Sequence, residues 1–321
     1  MIITDLWEYG SRKLDTRAIT LQNYVDLNAH HTTQKAPKLA RPKVSIVIPT
    51  RDKSDLLKRC VDSIMQYTTE TNFELVIVDN KSTENSTVVY LDGLSKLGIT
   101  VLSYPKSFNY SAICNMAAEK ATGEYLCFLN NDTEVLEPNW LSSMVDHASQ
   151  PLVGLVGAVL TFPDGKLQHM GVALGYTGVA GHPGRGEDPK SSLPEHCFQV
   201  SAITFACAVI SADKFKSLGG LSEEFPVAFN DVDISIRATN SNLVNVVCTR
   251  AHLLHGESQT RSRTQSFGGL FQGMRDVLML IRVHNRSLTE NFFVRRILSD
   301  KLRKYGDSKC PQKNTRPQDK Q

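Results

Sequence analysis

The chain lacks any apolar run approaching the roughly 18 residues a membrane-spanning helix needs, which excludes an anchor of that kind. It also lacks the apolar core of a signal peptide. The first ten residues, MIITDLWEYG, carry acids early and predict no export by that route. No Cys-x-x-Cys pair occurs among the seven cysteines, so zinc and disulfide frameworks are both poor readings. Cys114, Cys127, Cys207 and Cys248 lie inside apolar patterns, where thiols act as small hydrophobes, and a reducing cytoplasm fits them best. Neither sign of charge dominates: a net +3 gives no reason to expect a nucleic-acid partner. Glycine is missing from the first strand–helix turn, IPTRDKSD, and no Lys-Ser/Thr follows it. A dinucleotide fingerprint and a P-loop both need glycine there for close approach to phosphates, so both are disfavoured.

What remains is an alternation of strand-like and helix-like segments over a length sufficient for one large domain or two smaller ones. Residues 1–43 have weak periodicity and end in the Pro- and Lys-bearing stretch KAPKLARPK, an extension and linker with one helix expected near Ile19 to Leu27. Val44 to Ile48 form a β-rich run ended by Pro49. Leu56, Leu57, Cys60, Val61, Ile64 and Met65 then share one helical face. A second run, Phe73 to Val78, ends at Asp79-Asn80, and a helix-like stretch leads to a short strand, Ile99 to Leu102. Ala112, Ile113, Met116 and Ala117 mark a further helix. The pattern implies an α/β fold with a mostly parallel sheet. Beyond Pro151, LVGLVGAVL and the segment Val200 to Ile210 each read as one apolar strand, separated by loops and short strands between Asp164 and Pro194. A last strand-like run, Leu243 to Cys248, leads to HLLHGES.

The stretch Gly123 to Val135, GEYLCFLNNDTEV, reads as a buried strand that stops at a cluster of polar oxygens. In open α/β sheets ligands bind beyond the carboxyl ends of strands. Asp132 therefore sits where a divalent cation and a phosphate can meet; the plain alternative is an Asx turn capping the helix that starts near Pro138. Asp79, at another strand end, suits a base or ribose contact, or a simple turn. Asp231 falls at a helix N-terminus, as Val232 and Ile236 lie one turn apart, and capping alone would account for it.

The last sixty residues read as helical, with Leu270, Phe271, Met274, Val277, Leu278 and Ile281 on one apolar face and Phe292, Phe293, Ile297 and Leu302 suggesting a second. From Arg261 onward there are 14 Lys/Arg against 5 Asp/Glu. Two readings stay open: peripheral contact with an anionic membrane surface, or helices packed on the preceding domain with a solvated basic face. The end, DSKCPQKNTRPQDKQ, has the composition of a disordered tail.

Six segments, VSIVIPTRD, ELVIVDN, FNYSAICNMAAEKATGEYLCFLNNDTEV, GGLSEEF, AFNDVDISIR and HLLHGES, occur in the order seen in family-2 glycosyltransferases. The chain resembles that family over about residues 44–261, and within it bacterial enzymes that build O-antigen and related surface polysaccharides, rhamnosyltransferase-like members included. The resemblance implies the GT-A fold, with residues 44–135 as the nucleotide-sugar half, 136–261 as the acceptor half and 262–321 as C-terminal helices and tail. It implies that Pro49, Thr50 and Asp52 border the nucleoside and that Asp79 reads the base. Asn130, Asn131 and Asp132 match the family's D-x-D element, whose last acid binds the metal. Asp231 matches the catalytic base, His255 a histidine that joins the metal site, and Arg261 a basic residue that meets the diphosphate. The first acid of D-x-D is an amide here, Asn130, and Phe205 stands where relatives often have glycine, which points to an altered acceptor site.

The chemistry so implied is inverting, metal-dependent transfer of a sugar from a UDP- or dTDP-linked donor to a glycan or lipid-linked acceptor, with Mn2+ or Mg2+ as cofactor. A nucleotidyltransferase would want a glycine-rich triphosphate loop after the first strand, absent from IPTRDKSD. A glycan-binding or scaffolding module without turnover is the other alternative, since N-N-D is a thin metal motif.

Overall fold

The computed structural model describes residues 42–69, 71–174, 180–194, 196–256 and 275–284. The expected helix near Ile19, the Arg261 site and the second C-terminal helical face lie outside these residues.

Strands β1 (Val44–Thr50), β2 (Phe73–Asp79), β3 (Thr100–Ser103) and β4 (Tyr125–Leu129) form the parallel block expected from the alternating pattern. Helices α1 (Ser54–Tyr67), α2 (Asn85–Lys96) and α3 (Tyr110–Lys120) connect them. The sheet continues through β6 (Val153–Thr161), β10 (Phe198–Val200), β11 (Cys207–Ser211) and β12 (Val244–His255) in the order β10-β12-β6-β11-β4-β1-β2-β3. β5 (Thr133–Val135) pairs with β12 and β7 (Leu167–His169) with β6, while β8 (Ala173–Leu174) and β9 (Ala180–Gly181) make a separate two-stranded ribbon. β11 runs antiparallel to both β4 and β6, so one mixed sheet joins the two halves of the sequence.

Central strands are buried on both faces, which is why they read as continuous apolar runs. Ile46 and Ile48 of β1 face α1, while Val47 faces α3 on the other side. Cys127 and Leu129 of β4 pack with the first set, Leu126 and Phe128 with the second. Helix α4 (Trp140–Ala148) covers the first face, and α6 (Ala212–Ser217) and α7 (Asn230–Asn240) the second. α5 (Pro189–Ser192) is a single turn in the loop region. Pro49 is tolerated in a central strand because the β4 pairing of β1 stops at Val47, so the missing N–H interrupts no bond on that side.

Four expectations are corrected. Met65 is 59 % exposed, because the α1 stripe that meets the sheet is only as wide as Leu57, Cys60, Val61 and Ile64. Val200 to Ile210 is not one strand: β10 ends at Val200 and β11 begins at Cys207. Between them the backbone finds partners off the sheet, Ala202 bridging Val172 and the Ile203 N–H donating to Ser235 Oγ. β12 does not stop at Cys248 but runs on to His255, with an irregularity between Cys248 and His252. The helical residues 275–284, here α8, bury Asp276, Leu280 and His284, while Leu278 is 63 % and Ile281 38 % exposed. Leu280 packs with Phe225, Val232 and Ile236 at α7, and His284 Nε2 lies 2.7 Å from Asp233 Oδ1. Polar pairing thus selects the buried face over the more apolar one. The helix packs on the preceding domain, and among the described residues no helix is long and apolar enough to cross a membrane.

At the end of the sheet away from the strand carboxyl termini, Glu74 accepts from Lys43 Nζ (2.7 Å), Ser45 Oγ (2.6 Å) and the Thr122 N–H (2.7 Å). Burial pushes this carboxyl up, but Lys43, Ser45 and Thr122 outweigh it and hold the group at about 2. A depressed carboxyl stabilises the fold above its unfolded value, and that contribution is lost as pH falls from about 4.5 toward 2. After solvent screening it amounts to about 1–2 kcal/mol. Urea midpoints should therefore fall more steeply over this window for the parent than for Glu74→Gln, and equal slopes would contradict the assignment.

Candidate functional site

Polar side chains gather beyond the carboxyl ends of β1, β2, β4 and β12, where an open α/β sheet offers its crevice. At β1 and β2 the acids are tied into loops. Asp52 has a positive φ of 54° and its Oδ1 accepts from the Thr83 (2.6 Å) and Glu84 (2.9 Å) N–H groups that open α2. The Glu84 amide first, then Thr83 and the charges of Arg51 and Lys53, hold its carboxyl below the usual range despite partial burial. The Asp52 N–H donates to Ser82 Oγ, and the Ser82 N–H donates to Asp79 Oδ1, so Ser82 links the two acids. Asp79 makes the Asx-type turn that was the plain alternative for it, which does not remove it from the crevice edge. Asn131 Nδ2 donates to Thr50 Oγ1 at 2.9 Å, and both side chains are buried, bracing β4 against β1 beside the half-buried Pro49.

The centre of the site is made by a long-range register. β5 pairs antiparallel with β12, His255 opposite Thr133, and the Gly256 N–H donates to the Asp132 carbonyl at 2.8 Å. This brings His255 Nε2 to 3.2 Å from Asp132 Oδ1 and 3.4 Å from Asn130 Nδ2. On the other side of the ring, Nδ1 lies 2.6 Å from Gln168 Oε1, and Gln168 Nε2 donates to the His255 carbonyl at 3.2 Å. An amide oxygen only accepts, so Nδ1 carries a proton, assigned from this network. Nε2 therefore presents its lone pair toward the Asn130 amide and stands beside the Asp132 carboxylate, so an imidazole nitrogen and a carboxylate oxygen lie side by side. The residues fit a metal: two ligands of one octahedral ion at about 2.1 Å stand about 3 Å apart, close to the separation here. A carboxylate oxygen with an imidazole nitrogen suits Mn2+ or Mg2+. Gln168 does what an outer partner of a ligating histidine does, fixing its tautomer and orientation.

Asn130 is turned with its amide NH2 toward His255, and Tyr110 Oη stands 3.5 Å from its Oδ1. The Tyr110 hydroxyl donates to the Phe205 carbonyl at 3.1 Å. Desolvation first, then Cys114, and then the negative charges of Asp231 and Asp132, keep this phenol well above its usual range. One protonated hydroxyl is thus within the field of both acids. Phe205 contributes that carbonyl, whereas its ring is buried against Phe128 with centroids 4.9 Å apart. The Phe205 ring therefore belongs to the core, and what it adds beside the crevice is this carbonyl.

Asp231 stands in the first turn of α7, with Oδ1 accepting the Val232 N–H at 2.8 Å. The residue before the helix, Phe229, has φ 62°, a left-handed conformation rare for an aromatic and held by its surroundings. The Tyr110 N–H donates to the Pro226 carbonyl and Ser111 Oγ to the Phe225 carbonyl, tying this turn to α3. Just upstream, Gly219 and Gly220 have φ of 81° and 69°, and a Cβ on Gly220 would meet Asn115 Oδ1 at 2.8 Å. Asn115 binds Leu221 through both N–H and carbonyl, fixing the loop that approaches the site.

Of the residues expected from sequence, Asn130, Asp132 and His255 are brought into contact, while Asp231 stands in the first turn of α7, whose preceding turn is tied to α3. Thr50, Asn131, Asp52 and Asp79 form the neighbouring wall. Gln168 and Tyr110 had no local signal, because each is defined by what it faces across the fold.

A family model described as glycosyl transferase family 2 matches residues 45–209. A curated relative, the O-antigen biosynthesis protein RfbC of Myxococcus xanthus, is 42 % identical over 231 residues. That match covers 70 % of this chain but only 18 % of the relative, so the chain spans under a fifth of its length. Among solved structures, GalNAc-T7 with UDP, GalNAc and Mn2+ superposes with a TM-score of 0.58 at 17 % identity, covering 70 % of this chain and 46 % of that one. The mannosyltransferase PcManGT of Pyrobaculum calidifontis, in complex with GDP-Man and Mn2+, gives 0.52 at 14 % identity, covering 90 % and 87 %. These likenesses establish a shared GT-A fold. With its crevice of acids at the strand ends and half its length matched by the family model, the chain belongs to glycosyltransferase family 2.

Proposed function

We propose that this chain is an inverting, metal-dependent glycosyltransferase that moves a sugar from a UDP- or dTDP-linked donor to a surface glycan or lipid-linked saccharide. The observation that carries the reading is the Asp132–His255 pair, poised for a cation and fixed from behind by Gln168. The Mn2+ with UDP or GDP-Man bound in the two fold neighbours, and the O-antigen biosynthesis role of the relative, support it.

In this reading Asp132 and His255 hold Mn2+ or Mg2+, which offsets charge on the departing diphosphate. Asp79, Asp52, Pro49 and Thr50 border the nucleoside, with Asn130 and Asn131 at the diphosphate side and Arg261 completing it. Asp231 accepts the acceptor hydroxyl proton as the new glycosidic bond forms, and the bond from the anomeric carbon to the diphosphate oxygen breaks, releasing the nucleoside diphosphate. Tyr110, whose hydroxyl donates to the Phe205 carbonyl and stands 3.5 Å from Asn130 Oδ1, helps hold the diphosphate side rigid. The enzyme works in the cytoplasm, where nucleotide-sugars are made.

Incubation with a panel of UDP-, dTDP- and GDP-sugars tests the reading. One donor should turn over with Mn2+ and stop with chelator; no turnover of any donor, with or without metal, favours a non-catalytic module. A second test concerns Gln168. Gln168→Leu should lower Mn2+ affinity about 10–100-fold, because His255 loses the partner that sets its tautomer. Calorimetry showing unchanged Mn2+ binding would remove Gln168 from the metal site.

A further inference from the structure

Away from Asp132, three soft-donor side chains from three separate elements converge. His147 comes from the last turn of α4, Cys197 from the residue before β10, and Cys248 from the middle of β12. One ligand atom of each lies within 4.8 Å of the other two. The register explains the meeting: Phe198 pairs with Val247 and Gln199 with Val246, so Cys197 falls opposite Cys248. Packing of α4 on this face of the sheet delivers the histidine. All three are buried, with His147 5 % and Cys197 7 % exposed. Thr249 Oγ1 lies 3.7 Å from the Cys197 sulfur, on the edge of the same cluster.

We propose that His147, Cys197 and Cys248 form a structural site for a thiophilic divalent cation of the Zn2+ class, with the Thr249 hydroxyl or a water as fourth ligand. One imidazole and two thiolates are a set that selects zinc over the hard cations suited to Asp132 and His255. Tetrahedral Zn2+ with bonds of about 2.0–2.3 Å holds its ligands about 3.3–3.8 Å apart. Closing from the present spread takes side-chain adjustments of about 1 Å at most, within one rotamer well. The short local spacings that signal zinc in sequence are absent because the ligands lie roughly fifty residues apart and are assembled by sheet register and helix packing. Cys248 is seven residues before His255 on β12, roughly 20 Å along an extended strand, so the two sites are separate. The cation would clamp β10, a three-residue strand at the sheet edge, to β12 and α4.

The test uses the full chain, reduced and stripped of metal, titrated with Co2+. One equivalent should give a thiolate-to-cobalt charge-transfer band and the strong visible bands of a tetrahedral site, and Zn2+ should bleach both. Cobalt at Asp132 and His255 would give no thiolate band, so Asp132→Ala should leave this signal intact. Cys197→Ser and His147→Gln should each weaken Co2+ binding at least about 10-fold. Zn2+ should raise the unfolding midpoint of the parent and leave that of Cys197→Ser unchanged. Absence of the thiolate band in the parent overturns the proposal, as does a band that persists in a folded Cys197→Ser, Cys248→Ser variant.

Discussion

Asp231→Asn is expected to lower turnover by about 100-fold or more while leaving donor binding intact, a loss of about 2.7 kcal/mol of transition-state stabilisation. The substitution separates the hydrogen bond seen at the helix start from the proposed role as base. Asp231 Oδ1 accepts the Val232 N–H at the start of α7, and an asparagine oxygen can do the same. The helix start, the Phe229 turn and the contact with α3 should therefore survive. What the amide cannot do is take up the proton of the acceptor hydroxyl. The measurement is initial rate against donor binding, in a variant whose fold is checked by circular dichroism. Near-normal turnover in that folded variant would assign Asp231 to capping alone.

Asp132→Ala should have the larger effect, on the order of 1,000-fold in turnover, because a diphosphate leaving without its counter-charge loses an electrostatic contribution of that size. The site offers one carboxylate and one imidazole, so the donor's own phosphates must complete the coordination. Nucleoside diphosphate and Mn2+ should then bind cooperatively, with a coupling of about 1–3 kcal/mol. Asp132→Ala should abolish this coupling and His255→Ala should weaken it. Asp79→Ala should weaken nucleoside binding yet leave the preference of the metal for diphosphate over monophosphate. The Asp132 carbonyl, which accepts the Gly256 N–H, is untouched by the change, so the pairing of β5 with β12 should persist. Calorimetry with UDP or dTDP, with and without Mn2+, reads the coupling directly. Nucleotide affinity indifferent to Mn2+ in the parent would remove the metal-dependent reading and leave a metal-independent transferase or a binding module.

Much of the scaffold was legible in the chain because it follows from local pattern. Strands β1, β2 and β4 are apolar runs since both their faces are covered, and α1 shows its period through Leu57, Cys60, Val61 and Ile64. Asp132 and Asp79 could be placed at strand ends because a polar cluster follows each run. Periodicity failed where the partner, not the stripe, chose the face. In α8 the apolar Leu278 and Ile281 point to solvent while His284 is buried, because Asp233 of α7 waits for it and Arg237 shares the charge. Pattern also failed between Val200 and Cys207, where Ser235 and Val172 draw the backbone off the sheet.

The sequence alone determined the α/β alternation, the strand ends at which acids gather and the family those segments resemble, since each is encoded within a short window of residues. Only the tertiary structure decided that Gln168 fixes the His255 ring, that the Tyr110 hydroxyl reaches the Phe205 carbonyl beside Asn130, and that His147 joins Cys197 and Cys248. The reason is physical. Each of these meetings depends on a strand register or a helix seat set by hydrogen bonds and packing summed over the whole sheet, and a one-residue slip of β12 would turn its side chains to the opposite face.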